Sequence, residues 1–151
     1  MCRRGTEKKG GQEAQALGRS RGGFTTKIHV STDGLGNPLR LTLTAGQRHD
    51  ITQATVLIDG YAYDAVIADR SYDSDDFLVV ISANGAVAII PPRSNRKETR
   101  EYDEFAYRER HLIECFINKI KHYRRIFSRF DKLDSRYFGF LCFVSALIWL
   151  R

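Results

Sequence analysis

The chain is poor in cysteine, and the three it has, Cys2, Cys115 and Cys142, are odd in number and form no C-x-x-C pair. Neither a disulfide framework nor a cysteine-based zinc site is expected, and a reducing cytoplasm is the default setting. Long apolar runs are also lacking. Met1 to Gly23 is polar and basic without an apolar core, so no signal peptide is expected there. Tyr137 to Leu150 carries no charge, but its 14 residues fall short of a membrane span and read as a buried helix.

What is present suits one domain: 151 residues, 42% of them hydrophobic, are enough to bury a core. The net charge of +6 is unevenly spread. Residues 1–27 carry seven Lys/Arg against two Glu, residues 93–136 carry thirteen against eight acids, and residues 28–92 carry three against eight Asp. Basic flanks thus enclose an acidic middle. Such flanks suit a phosphate backbone and a cluster of Asp suits a hard divalent cation, although solubility would also account for them.

Taken in order, residues 1–23 lack any apolar period and read as a basic, flexible lead-in. Within it, Gly18-Arg19-Ser20-Arg21-Gly22-Gly23 could wrap a phosphate with backbone N–H groups and two guanidinium forks, or serve as a mobile linker. Alternation at Thr26, Ile28, Val30 and Thr32, the turn DGLGN, and Leu39, Leu41 and Leu43 predict two half-buried antiparallel strands. Asp50 or Thr52 is expected to cap a short helix, and His49-Asp50 reads as a turn in preference to a ligand pair. Ala65 to Ala68 predicts a buried strand ending at Asp69, the place where an α/β sheet displays its chemistry.

The loop that follows is not an EF-hand, since its sixth position is Ser74 and its twelfth is Val80. Asp73 to Asp76 is expected to cap a helix that stops at Gly85. Ala86 to Ile90 predicts another buried strand, closed by Pro91-Pro92 and followed by the mostly basic loop RSNRKETRE.

Residues 107–121, YRERHLIECFINKIK, predict a helix around which the rest is arranged. At about 100° per residue, Tyr107, Arg110, Glu114 and Lys121 share one face. Phe105, Leu112, Phe116, Ile120, Tyr123 and Phe127 gather opposite, so the helix can pack on a core while showing Glu114 outward. Spacing alone favours a solvated face with i,i+4 pairs such as Arg110 and Glu114.

The spacing Tyr107-x2-Arg110-x3-Glu114-x6-Lys121 also matches the Y-x2-R-x3-E-x6-K signature of bacterial insertion-sequence transposases of the DDE (Asp-Asp-Glu) class. GRSRGGFTTKIHVSTDGLGNPL, TAGQRHD, IADRSYDSD and the run from RHLIEC to FSRFDK resemble the catalytic domain of the insertion-sequence-five-type branch, over about residues 12–151. The resemblance implies a ribonuclease-H-like α/β fold, a mixed sheet flanked by helices, with residues 24–151 as a partial catalytic domain. It places the second Asp on Asp69 and the Glu on Glu114, as ligands of Mg²⁺ or Mn²⁺ in a two-metal site. It gives Tyr107, Arg110 and Lys121, with Arg19 and Arg21 upstream, to DNA phosphates. What the family carries ahead of GRSRGG, a central strand bearing the first catalytic Asp, has no counterpart here.

The implied activity is metal-dependent cleavage and transfer of DNA strands at the ends of a mobile element. This chain is expected to be weak or inactive alone, as an incomplete or frameshift-dependent product, and its unpaired strand edges should favour aggregation. Implied partners are terminal-repeat and target DNA and further copies of the chain in an active complex, in a bacterial cytoplasm at the nucleoid and without a membrane. The alternative is a non-catalytic DNA-binding fragment that inhibits a complete transposase. A different ribonuclease-H-like nuclease ranks last, since it would lack the Tyr107 to Lys121 spacing.

Overall fold

The computed structural model describes residues 15–20, 23–97 and 99–150. Its elements run β1 (Gly18–Ser20), β2 (Gly23–Thr32), β3 (Pro38–Ala45), α1 (Ala54–Ile58), β4 (Ala65–Ile67), α2 (Asp75–Ala83), β5 (Val87–Ile89), α3 (Glu104–Tyr107), α4 (His111–Lys121), α5 (Arg124–Phe127) and α6 (Asp134–Trp149). Three 3-10 turns, Asp50–Gln53, Arg70–Tyr72 and Arg108–Arg110, link them. The α/β class stands. A continuous mixed sheet does not: β1-β2-β3 form an antiparallel sheet, and β4 and β5 form a separate parallel pair.

The β2–β3 ladder sets Ile28 opposite Leu43 and Val30 opposite Leu41, as the period of two predicts. At the turn between them, Gly36 takes a φ of +83° that a side chain would strain, and Asp33 accepts from the amides of Leu35 and Asn37. The apolar face of this ladder meets Phe116 and Ile120 of α4, Ile126 of α5, and Leu141 and Val144 of α6 in a first core. The second core collects Ala54, Phe77, Ile81, Ala86 and Ile90 around β4, β5, α1 and α2. Each body therefore buries its own apolar face.

The opposite face of β2 is polar and touches the segment that leads into α1. Lys27 Nζ lies 3.0 Å from Asp50 Oδ1, Ser31 donates to the carbonyl of Leu57 at 2.8 Å, and buried His29 shares a hydrogen bond of 2.7 Å with Thr44. Asp50 caps no helix; the 3-10 turn at 50–53 has no side-chain cap at all. The turn reading of His49-Asp50 agrees with the geometry.

The cap of α2 falls within the expected residues 73–76: Ser74 Oγ accepts from the amide of Phe77, while Asp73 is buried and turned to a different purpose. Two further expectations need correction. The strands β4 and β5 are not buried throughout, since Ala65 and Val87 are exposed. Residues 107–121 are not one helix, because the backbone tightens to a 3-10 turn at Arg108–Arg110 before α4 begins. Phe105 is consequently 78% exposed and Phe127, in the separate α5, 72% exposed, whereas Phe116 and Ile120 are buried as expected. α6 begins at Asp134, ahead of the uncharged run, and buries Tyr137, Leu141, Val144 and Ser145.

Two outcomes follow for stability. Leu141 is fully buried, so Leu141→Ala should lower the unfolding free energy by about 2–5 kcal/mol in denaturant titration. Burial pulls the pKa of His29 below its ordinary 6.5, against the pull of Asp50, so the unfolded chain takes up this proton first. That stability is complete above 6.5 and is lost as pH falls through it; the melting temperature should drop between pH 7 and 5, and His29→Gln should flatten that part of the curve.

Candidate active site

Strand β4 is short because Asp69 follows it and turns the chain into the 3-10 turn Arg70–Tyr72. The carboxylate of Asp69 caps that turn, its Oδ1 accepting from the amide of Ser71 at 2.7 Å and from the Ser71 hydroxyl. Asp69 is thus half-buried and fixed by its own turn. The neighbouring Tyr72 hydroxyl is pushed up to about 12, first by burial and then by the charges of Asp50 and Asp69.

Glu114 stands in the first turn of α4, exposed on the side away from Phe116. Its Oε1 accepts from Arg110 Nη2 at 2.6 Å, and the same guanidinium lies 5.7 Å from the centre of the Tyr107 ring. Tyr107 is held edge-on by Tyr102 at 5.6 Å. Partial burial draws the pKa of Arg110 down, but the bond to Glu114 and the charges of Tyr107, Glu114 and Asp69 outweigh it and the net shift is upward.

Of the residues expected at the site, Tyr107, Arg110 and Glu114 are brought together by direct contact, while among the described residues Asp69 makes no hydrogen bond or ion pair with them. Lys121 is exposed at the last turn of α4, seven residues beyond Glu114 and about 10 Å farther along the same face. It is a neighbour of the site and no part of its contacts. Arg19 lies in β1, its side chain outside the described residues, as is the whole of Arg21. The possible phosphate wrap at 18–23 is represented only by the pairing of Gly18–Ser20 with Gly23–Thr25.

The donor chemistry of the pair fits a hard divalent cation, since both acids offer carboxylate oxygens. Among the described residues no three His, Cys, Asp or Glu side chains group as a metal centre. Two carboxylates fit one ion and fall short of the shared acid that a two-metal centre needs. Asp33, Asp59 and Asp64 stand in turns or at element ends, and Asp50 is engaged by Lys27.

Sequence reasoning missed the contacts of Asp73. Its side chain is only 1% exposed and takes the amide of Arg93 at 2.8 Å, Arg96 Nε at 2.9 Å and Arg100 Nη1 at 3.5 Å. Burial raises its pKa, but these bonds and charges outweigh burial and hold the carboxyl below the usual carboxylate range. Its partners lie twenty or more positions away, beyond any local spacing pattern. The basic loop RSNRK was the only hint.

The family model described as "Transposase DDE domain" matches residues 2–142. The chain is 42% identical over 130 residues to a protein of Brucella ovis named as the transposase for insertion sequence element IS6501, covering 85% of this chain and 100% of that one. It is 29% identical over 135 residues to one of Burkholderia cepacia named for insertion sequence element IS402, covering 82% of this chain and 62% of that one. No solved structure matches. The chain belongs to the DDE-domain transposases of insertion sequences, and its role lies in DNA transposition.

Proposed function

We propose that Asp69 and Glu114 are the second and third acids of the transposase and that Tyr107, Arg110 and Lys121 hold DNA phosphates beside them. The carrying observation is Arg110, which bonds Glu114 and lies 5.7 Å from the centre of the Tyr107 ring, so that the acid, the cation and the phenol share one face. In this reading the two acids ligate Mg²⁺ or Mn²⁺, which when bound supplies Lewis-acid activation of water or a 3′-hydroxyl and stabilises the leaving oxygen. Arg110 presents a planar fork to a phosphate and Lys121 a point charge farther along. Arg19 and Arg21 extend that contact upstream, and a second copy of the chain would pair the two element ends.

The fold in this reading is ribonuclease-H-like with its central strand supplied from outside residues 24–151. Its support is the match to the transposase DDE domain and the mixed α/β order of the elements. A second reading, a DNA-binding fragment that inhibits the complete enzyme, is favoured by the lack of a three-acid grouping among the described residues.

The two readings separate in a version of the chain fused to an N-terminal strand carrying an Asp. Glu114→Gln and Asp69→Ala should each abolish its metal-dependent cleavage of terminal-repeat DNA; unchanged cleavage in either variant would refute the assignment. If the inhibitory reading holds, DNA affinity falls steeply with salt and ignores Asp69→Ala. Arg110→Ala should alter the unfolding free energy by about 0.5 kcal/mol or less, since it removes an exposed i,i+4 pair. The same variant should lower the slope of log affinity against log salt by about one, as measured by fluorescence anisotropy.

A further inference from the structure

A closed circuit of hydrogen bonds runs behind Asp69. Ser71 holds the Asp69 carboxylate with its amide and its hydroxyl, both on Oδ1. The carbonyl of Ser71 in turn accepts from Arg93 Nη2 at 2.7 Å, and the carbonyl of Arg70 accepts from Arg93 Nε at 3.3 Å. The amide of Arg93 donates to Asp73 Oδ2 at 2.8 Å, which returns the circuit to the same turn. Among the described residues, Oδ2 of Asp69 takes no hydrogen bond and is the oxygen left for a ligand.

Asp73 is not suited to be a ligand itself. Its Oδ2 is taken by the Arg93 amide and Arg96, and its Oδ1 faces Arg100, in a site closed to solvent. The same arginines run toward α3. Arg100 also donates to the carbonyl of Ile90 at 2.7 Å, three positions before the Asp103 side chain caps the helix that leads to Arg110 and Glu114. One buried carboxylate therefore pins both the turn that carries Asp69 and the loop that delivers Glu114.

We propose that Asp73 and Arg93 are positioning residues for the metal-binding pair, fixing the rotation of the Asp69 carboxylate through Ser71 and its separation from Glu114 through the 91–103 loop. The inference rests on the assignment of Asp69 and Glu114 as ligands. Partners that orient a ligand without touching the metal typically govern metal affinity by ten- to a hundredfold, roughly. Arg93 is the cleaner probe, because its guanidinium is exposed and Asp73 keeps Arg96 and Arg100 when it is truncated.

The test is titration of the whole chain with Mn²⁺, followed by the electron paramagnetic resonance of the free ion, well below the melting temperature of each variant. Arg93→Ala should weaken Mn²⁺ binding about tenfold with little change in melting temperature, and Asp73→Asn should weaken it at least as much. Equal affinity in Arg93→Ala and the unsubstituted chain overturns the proposal, even if the variant melts earlier, since a purely structural clamp would shift melting alone. Should Asp73→Asn fail to fold, Arg93→Ala decides. Asp69→Ala separates the two levels: if it abolishes binding while Arg93→Ala does not affect it, only the positioning role falls. If Asp69→Ala binds Mn²⁺ unchanged, or the unsubstituted chain binds none, the ligand assignment falls and takes the positioning role with it.

Discussion

The packing of α4 on the β2–β3 face is the constraint on which the site depends. Phe116 and Ile120 must both be out of water, and only one rotation of the helix achieves that. Glu114 is carried to the solvent side by the same rotation, where Arg110, four residues earlier, bonds it. The apolar residues thus aim the polar ones. A substitution at Phe116 would disturb chemistry it never touches.

Much of this was legible in the sequence, for physical reasons that differ by element. The alternation from Thr26 to Leu43 has a period that only a half-buried strand satisfies, and the ladder found there keeps the expected faces. Asp69 was readable because a short apolar run ending in an acid, followed by Arg-Ser-Tyr, leaves the chain nowhere to go but a turn. The break at Arg108–Arg110 was not readable, since Tyr107, Arg110 and Glu114 are compatible with an unbroken helix and the tighter turn keeps them together.

The cap of α2 shows where local reasoning stops. Asp73, Ser74, Asp75 and Asp76 are all good capping residues by type. Tertiary contacts chose among them: three arginines from a later loop claim Asp73, and Ser74 is left with the helix. A carboxylate buried against several guanidiniums is too costly to leave half-made, so the loop and the turn come as a unit.

Asp69 belongs to the body built on Phe77, Ile81 and Ile90, and Glu114 to the body built on Phe116 and Leu141. An ion shared by the two acids would bind the assembled pair of bodies and not the separated ones. By mass action it would raise the free energy of pulling them apart in proportion to RT times the logarithm of its concentration over its dissociation constant. In the proposed reading the ion of the site would also fasten the two cores together, and chelation would loosen their contact.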